Sequence, residues 1–183
     1  GLHHLLVNYP LVIATADPEA VHQTRVAIRR LRAAIALFKV ASAGPTGPVL
    51  RAELKAVAQG LAAARDLHLL HARAVAAPDV AGYDFSALRA GLADCRDAAL
   101  GSARQILAAA PFQRLLLVLA LWFESGGWQG VRDSEGPTQP LRPRAARILS
   151  RQFVKLRKAS GSLAALPDRV RHKLRIEVKK MRY

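Results

Sequence analysis

The sequence contains VHQTRVAIRRLR at residues 21–32 and RHKLRIEVKKMR at residues 171–182. Aligned without a gap, both copies read H-x-x-R-x-x-x-[RK]-[RK]-x-R. At about 100° per residue in a helix, the first copy places four residues in one arc of roughly 80°, namely His22, Arg25, Arg29 and Arg32. The opposite side carries residues suited to a core, which are Thr24, Ile28, Leu31, Ile35 and Phe38. Each copy therefore predicts a helix with a core face and a cationic face.

The charge of the chain is strongly unbalanced, with 28 Lys and Arg against 13 Asp and Glu among 183 residues and a net charge of +15. From Leu141 to Tyr183 there are 14 basic residues against two acids, and His22–Lys39 holds five basic residues and no acid. Such an excess informs on partners rather than on the fold. We expect the partner to be a polyanion.

Cysteine usage and hydrophobic runs favour a cytoplasmic protein. A single cysteine, Cys95, excludes an intrachain disulfide and fits a reducing compartment. Gly1–Ile13 is apolar but lacks the basic start and the cleavage site of a secretory signal. The longest apolar run, Leu115–Phe123, is too short to span a bilayer. We interpret this run as a buried helix and expect no membrane role.

The whole chain is predicted to be helical, because Ala and Leu are abundant and apolar residues recur at spacings of 3 and 4. No segment alternates strictly between apolar and polar residues, as a β-strand would. Asp17-Pro18-Glu19 supplies an N-cap, a first-turn proline and a first-turn acid for the first repeat helix. The predicted helices before the linker cover approximately Leu2–Ala14, Pro18–Val40, Val49–Val75, Phe85–Ala109 and Phe112–Phe123.

A linker rich in Gly and Pro divides the chain at residues 125–143. We therefore predict a first helical bundle at 1–124 and the start of a second at 144–183. In the second part, Leu149, Phe153 and Leu156 form the predicted core face of one helix, and Leu166-Pro167-Asp168 begins the next. Two helices cannot close a bundle, so we expect further residues of the same chain, the first half or another chain to cover them. We favour the first of these.

The predicted helix Val49–Val75 carries a second basic stripe that small residues interrupt. The stripe consists of Arg51, Lys55, Ala58, Ala62, Arg65 and Arg73. The gap at its small residues suits a ligand or another helix packing closely, and the sequence does not favour either reading.

The paired motif, the Ala64-Arg65-Asp66-Leu67 segment and the basic, all-helical character together resemble the CHAD family of α-helical domains. The resemblance implies an all-α fold of two pseudo-symmetric four-helix bundles, of which the second is incomplete here. It also implies a basic groove between the bundles that binds inorganic polyphosphate. Such domains occur with polyphosphate granules and often beside a triphosphatase domain, which would lie outside these residues. At the position of the family's usual acid two residues after Asp66, this chain has His68.

The resemblance and the basic stripes together define the predicted polyphosphate-binding residues. The motif positions are His22, Arg25, Arg29, Arg32, His172, Arg175, Lys179 and Arg182. The neighbouring basic faces add Arg144, Arg147, Arg151, Lys155, Arg51, Lys55 and Arg65. Four further candidates are Lys39, Lys158, Arg30 and Lys180, the last two lying about 90° from the main stripe.

Elementary chemistry supports a phosphate chain as the ligand. Helix positions i, i+3, i+7 and i+10 supply a positive group about every 5 Å, and arginine makes bidentate contacts to phosphate oxygens. A histidine beside the anion would gain proton affinity, so we expect tighter binding at mildly acidic pH.

The sequence supports three other functions less well. Nucleic acid is the main alternative partner, although the basic faces lack interleaved aromatic residues for base stacking. A metal site at His68 and His71, with Asp66 nearby, lacks enough convergent ligands. No G-x-x-x-x-G-K-[ST] loop or acid cluster indicates an enzyme, so we expect no catalytic residue, metal or cofactor.

Overall fold

The computed structural model describes residues 1–37, 45–78, 83–126, 141–161 and 163–182. Within these ranges every regular element is helical, which confirms the predicted all-α class. The elements are α1 Leu2–Thr15, α2 Pro18–Leu37, α3 Thr46–Gly60, α4 Ala62–Ala76, α5 Ser86–Ala108, α6 Ala110–Glu124, α7 Leu141–Ser160 and α8 Asp168–Arg182, with a 3₁₀ turn at Leu163–Ala165 before α8.

Short local signals set the helix starts. The Asp17 carboxylate accepts hydrogen bonds from the backbone N–H groups of Glu19 and Ala20, at 3.0 Å and 3.3 Å, so it caps α2 as predicted. The Asp84 carboxylate accepts a 2.8 Å bond from the Ser86 N–H at the start of α5. Pro111 lies at the first turn of α6, where its missing N–H costs nothing.

Helix α2 is the centre of the first part of the molecule and packs against α1, α3 and α4. Its predicted core face is buried, through Thr24, Ile28, Leu31 and Ile35. Phe38, the fifth predicted member, lies outside the described residues. The buried cluster around this face draws side chains from α1 to α6 and from the α3–α4 turn, including Leu5, Leu54, Leu61, Ala64, Leu107 and Leu119.

The predicted single helix Val49–Val75 is wrong, because α3 ends at Gly60 and α4 begins at Ala62. Between them Leu61 has φ −85° and ψ 0°, and its side chain is fully buried. A Cβ at Gly60 would lie 2.7 Å from Cδ1 of Ile106, so the glycine suits the close approach of α5. The break redirects the chain, so the residues of the predicted stripe do not share one face.

Helices α7 and α8 pack against each other. The predicted core face of α7 is not buried by the described residues, since Phe153 is 56% exposed and Leu149 is 39% exposed. Apolar periodicity identifies such a face but does not say what covers it. Helix α7 begins at Leu141, inside the predicted linker 125–143. The domain boundaries and the two-bundle arrangement stay predictions.

Among the described helices, none is by itself long and apolar enough to cross a membrane. The pair α5 and α6 passes that test only jointly, and the two are bent by 52° at their junction.

A candidate polyanion-binding groove

Three adjoining cavities lie along the exposed side of α2, and we call them together the basic groove. The α2–α6 cavity has a volume of about 810 Å³, the α2–α8 cavity about 390 Å³ and the α2–α3 cavity about 360 Å³. Arg29 lines the first two, and Arg32 and Arg51 line the last two. The first repeat motif therefore supplies two of the side chains that link the three cavities, Arg29 and Arg32.

The α2–α8 cavity brings the two repeat helices together. Arg29 and Arg32 reach it from α2, and Lys179 reaches it from α8. These are motif positions of both copies, and Arg51 of α3 adds a fourth cation. The structure thus unites residues that are far apart in sequence on the walls of one cavity.

The α2–α3 cavity extends the cationic lining along α3. Arg51 and Lys55 lie one helical turn apart and face Arg32 across this cavity. Both α3 residues are exposed, so their charges remain accessible to a ligand. This end of the groove corresponds to the first half of the predicted second basic stripe.

The α2–α6 cavity contains the histidine of the first motif. His22, Arg29 and Arg30 line it together with apolar residues of α1, α2 and α6. Arg30, which the sequence placed away from the main stripe, therefore belongs to the groove lining as well.

The surroundings of Arg32 penalise its charge. Its Nε is buried and has no hydrogen-bond partner among the described residues. Burial, and secondly the charge of Arg51, lower the pKa of Arg32. The guanidinium stays charged at neutral pH regardless. An anion between Arg32 and Arg51 would relieve both costs.

The surroundings of His22 disfavour its protonated form. Burial lowers its pKa from 6.5, the Arg65 charge adds to this effect, and Arg29 and Arg25 add smaller contributions that Glu19 opposes. A phosphate beside His22 would reverse the sign of the local field and favour its protonation.

Two predicted ligands make contacts within the protein. Arg25 donates a hydrogen bond from Nη1 to the carbonyl oxygen of Ala58. Arg65 Nη1 lies 4.0 Å from Glu19 Oε2, an ion pair that joins α4 to the first turn of α2. Neither arginine lines the three cavities.

Most predicted residues of the second half lie outside these cavities. The side chains in question are exposed on α7 and α8, and they are Arg147, Arg151, Lys155, Lys158, His172 and Arg175. The structure therefore does not bring His172 to the groove beside His22. The side chains of Arg144, Lys180 and Arg182, and all of Lys39, lie outside the described residues.

The sequence reasoning missed the uncharged residues of the α2–α8 cavity. Ile148, Leu149 and Gln152 of α7 line it, as do Ile176 and Met181 of α8. For Ile176 the repeat contains a signal, because this residue aligns with Val26 of the first copy. Val26 lines the α2–α6 cavity, so the same register of both copies faces the groove.

The histidines considered for metal binding have other surroundings. Arg96 Nη1 lies 3.1 Å from His71 Nδ1, and since arginine only donates, this nitrogen must accept. Nδ1 of His68 is buried without a hydrogen-bond partner in the described part of the chain. Within the described ranges, no three His, Cys, Asp or Glu residues are grouped so that they could hold a metal ion.

Comparison with known proteins gives one family and one solved structure of note. The CHAD domain family matches residues 1–183. The crystal structure of the CHAD domain from the plant Ricinus communis superimposes with a TM-score of 0.80 at 29% sequence identity. That match covers 100% of this chain and 59% of the plant chain, so the present chain spans about three fifths of that relative. No curated protein matches significantly. The chain therefore belongs to the CHAD domain family.

Proposed function

We propose that this chain binds inorganic polyphosphate in the basic groove and acts as a non-catalytic binding module. The observation that carries the proposal is the α2–α8 cavity, where Arg29, Arg32 and Lys179 of the two repeat motifs share one lining. Cations from three different helices face the same space, which suits a ligand with charge on every side.

The remaining groove provides the length that a linear anion needs. Arg51 and Lys55 continue the cationic lining along α3, and Arg29 and Arg30 continue it towards α6. Polyphosphate carries about one charge per phosphate, so closely spaced guanidinium groups match its oxygens with charge-assisted hydrogen bonds. The unpaired Nε of Arg32 is one donor that such a ligand would satisfy.

Two expectations follow from the proposal, one on location and one on catalysis. A domain that holds polyphosphate without cleaving it would place the protein at polyphosphate granules in the cytoplasm. Any triphosphatase activity would belong to a domain outside these residues. Incubation of the purified chain with tripolyphosphate should therefore release no phosphate above a buffer blank, and steady release would contradict the non-catalytic assignment.

The direct test is a competition between polyanions. Long-chain polyphosphate, labelled at one end with a fluorophore, is bound to the purified chain and displaced with unlabelled polyphosphate or with duplex DNA at equal phosphate concentration. We expect polyphosphate to displace the label at concentrations at least about tenfold lower than DNA. Displacement by DNA at the lower concentration would favour the alternative, sequence-independent binding of nucleic acid.

A further inference from the structure

Helix α6 presents apolar side chains to solvent on the side that faces away from the basic groove. Leu117 and Leu121 are 72% and 68% exposed, which makes them the two most exposed leucines in the described part of the chain. They lie about one helical turn apart, and Val118 beside them is 38% exposed. Phe123, which lines the α2–α6 cavity, lies roughly 140° around the helix from this pair. A partner on the exposed leucines would therefore leave the groove open.

These leucines do not belong to the core. The core face of α6 is already supplied by buried residues, among them Leu115, Leu119 and Trp122. A surface helix ordinarily carries polar residues opposite its core face. An adjoining set of exposed apolar residues at that place is typical of an interaction surface.

Two charged residues flank the leucines on the same side of α6. Arg114 precedes them with its side chain 72% exposed, and Glu124 follows them and is exposed. At about 100° per residue, these four side chains fall within roughly one third of the circumference. The pair Arg114 and Glu124 has the same midpoint along the helix as the pair Leu117 and Leu121. The face is therefore self-complementary under a twofold rotation.

From this register we propose that the exposed face of α6 binds the same face of a second copy of the chain, in an antiparallel helix pair. Leu117 packs on Leu121 of the second copy, and Arg114 lies opposite Glu124 of the second copy, at both ends of the pair. Such a surface, which contacts itself across a twofold axis, is the usual arrangement in homodimers.

The charges of the face favour a second copy over other partners. Two chains of net charge +15 repel each other over most of their surface, but on this face one base and one acid cancel. Arg114 Nη2 lies 3.5 Å from Glu53 Oε1, and its high exposure leaves it accessible to a second carboxylate. A helix that lies on an anionic membrane is instead rich in Lys and Arg on its polar side. The inference does not depend on the proposed function, because the groove is on the other side of α6.

The test measures the oligomeric state of the purified chain without polyphosphate. Sedimentation velocity is recorded over a range of protein concentrations at about 0.15 M salt, which screens the repulsion between the two copies. Because one helix pair makes a small interface, we expect a reversible dimer with a Kd on the order of 10–100 µM. A monomer at all concentrations up to about 1 mM would overturn the inference, whatever the groove binds.

Apolar substitutions then locate the interface. Leu117→Ser with Leu121→Ser should weaken dimerisation at least about tenfold without unfolding the chain, since both side chains are exposed. Leu70→Ser with Leu88→Ser is the matched control, because these leucines are 49% and 56% exposed on α4 and α5. An equal loss of dimer in the control would overturn the inference.

A charge exchange tests the antiparallel register. Glu124→Arg alone places two arginines opposite each other at both ends of the pair, so it should weaken dimerisation about tenfold. Adding Arg114→Glu to this variant restores opposite charges at both ends and should recover most of the affinity. No recovery in the double variant, or no loss in the single one, would contradict the antiparallel pairing.

Discussion

Nη1 of Arg25 donates a hydrogen bond to the carbonyl oxygen of Ala58, and so joins the middle of α2 to the last turn of α3. Ala58 is one of the last four residues of α3, whose carbonyl groups have no partner within the helix. A guanidinium at this end also complements the negative end of the helix dipole. An arginine of the repeated motif therefore stabilises the turn that separates α3 from α4.

Substitution of Arg25 by Ala should destabilise the fold. The change removes a charge-assisted hydrogen bond and leaves a helix-end carbonyl unpaired, so we expect the free energy of unfolding to fall by about 2 kcal/mol. Urea denaturation measures this loss. Arg104→Ala, at an exposed position on α5, should stay within about 0.5 kcal/mol of the unmodified chain. Unchanged stability with strongly weakened polyphosphate binding would instead make Arg25 a ligand.

Substitution of Arg32 by Met should separate stability from binding. It removes a buried, unpaired Nε and the repulsion with Arg51, so we expect the ligand-free protein to gain roughly 1 kcal/mol, or about 2–4 °C in Tm. Long-chain polyphosphate should then raise the Tm by less than it does for the unmodified chain. Thermal scans with and without polyphosphate measure both effects. A lower Tm of the ligand-free variant would show that Arg32 stabilises the folded protein, and would contradict this prediction.

Binding of polyphosphate should strengthen as the pH falls. In the free protein, burial and then the Arg65 charge hold the pKa of His22 below 6.5, and a bound phosphate raises it. Protons are therefore taken up on binding between the two pKa values. Titrations from about pH 8 to about pH 5.5 should show rising affinity. His22→Asn should remove the part of this dependence due to His22, and equal affinity across the range in the unmodified chain would contradict the prediction.

The lowered pKa of His22 should make the ligand-free protein less stable as the pH falls. Because the pKa of His22 is lower in the folded state than 6.5, the unfolded chain binds its proton first as the pH falls. The contribution of His22 to stability is fully present above pH 6.5 and is lost below it. Urea denaturation at about pH 8 and at about pH 5.5 measures this effect. The free energy of unfolding should fall less between these two pH values in the His22→Asn variant than in the unmodified chain.

The sequence predicted the parts of the fold that depend on local chemistry. Asp17 marks the start of α2, the predicted break between Ala109 and Phe112 lies close to the junction of α5 and α6, and the apolar period of the first repeat gave its buried face. Each of these signals acts within a turn or two of the chain, so no knowledge of the tertiary structure was needed.

Features that depend on distant contacts could not be predicted in this way. The break at Leu61 lies between two segments with the same apolar period, and only the nearby Gly60 hints at it. Arg25 and Arg29 share a cationic stripe, yet Arg25 donates to Ala58 of α3 and Arg29 lines the groove, a difference that the local sequence does not encode. The uncharged residues of α7 and α8 that line the α2–α8 cavity likewise depend on how these two helices lie against α2.

The most direct test of the groove is the affinity for long-chain polyphosphate of two double variants with the same net charge. Arg29→Ala with Arg32→Ala removes cations that line the α2–α8 cavity, while Arg73→Ala with Arg104→Ala removes exposed cations elsewhere. We expect the first to bind at least about tenfold more weakly than the unmodified chain and the second to stay within about twofold. Equal weakening in both variants would mean that polyphosphate responds to total charge, and would contradict a groove-specific site.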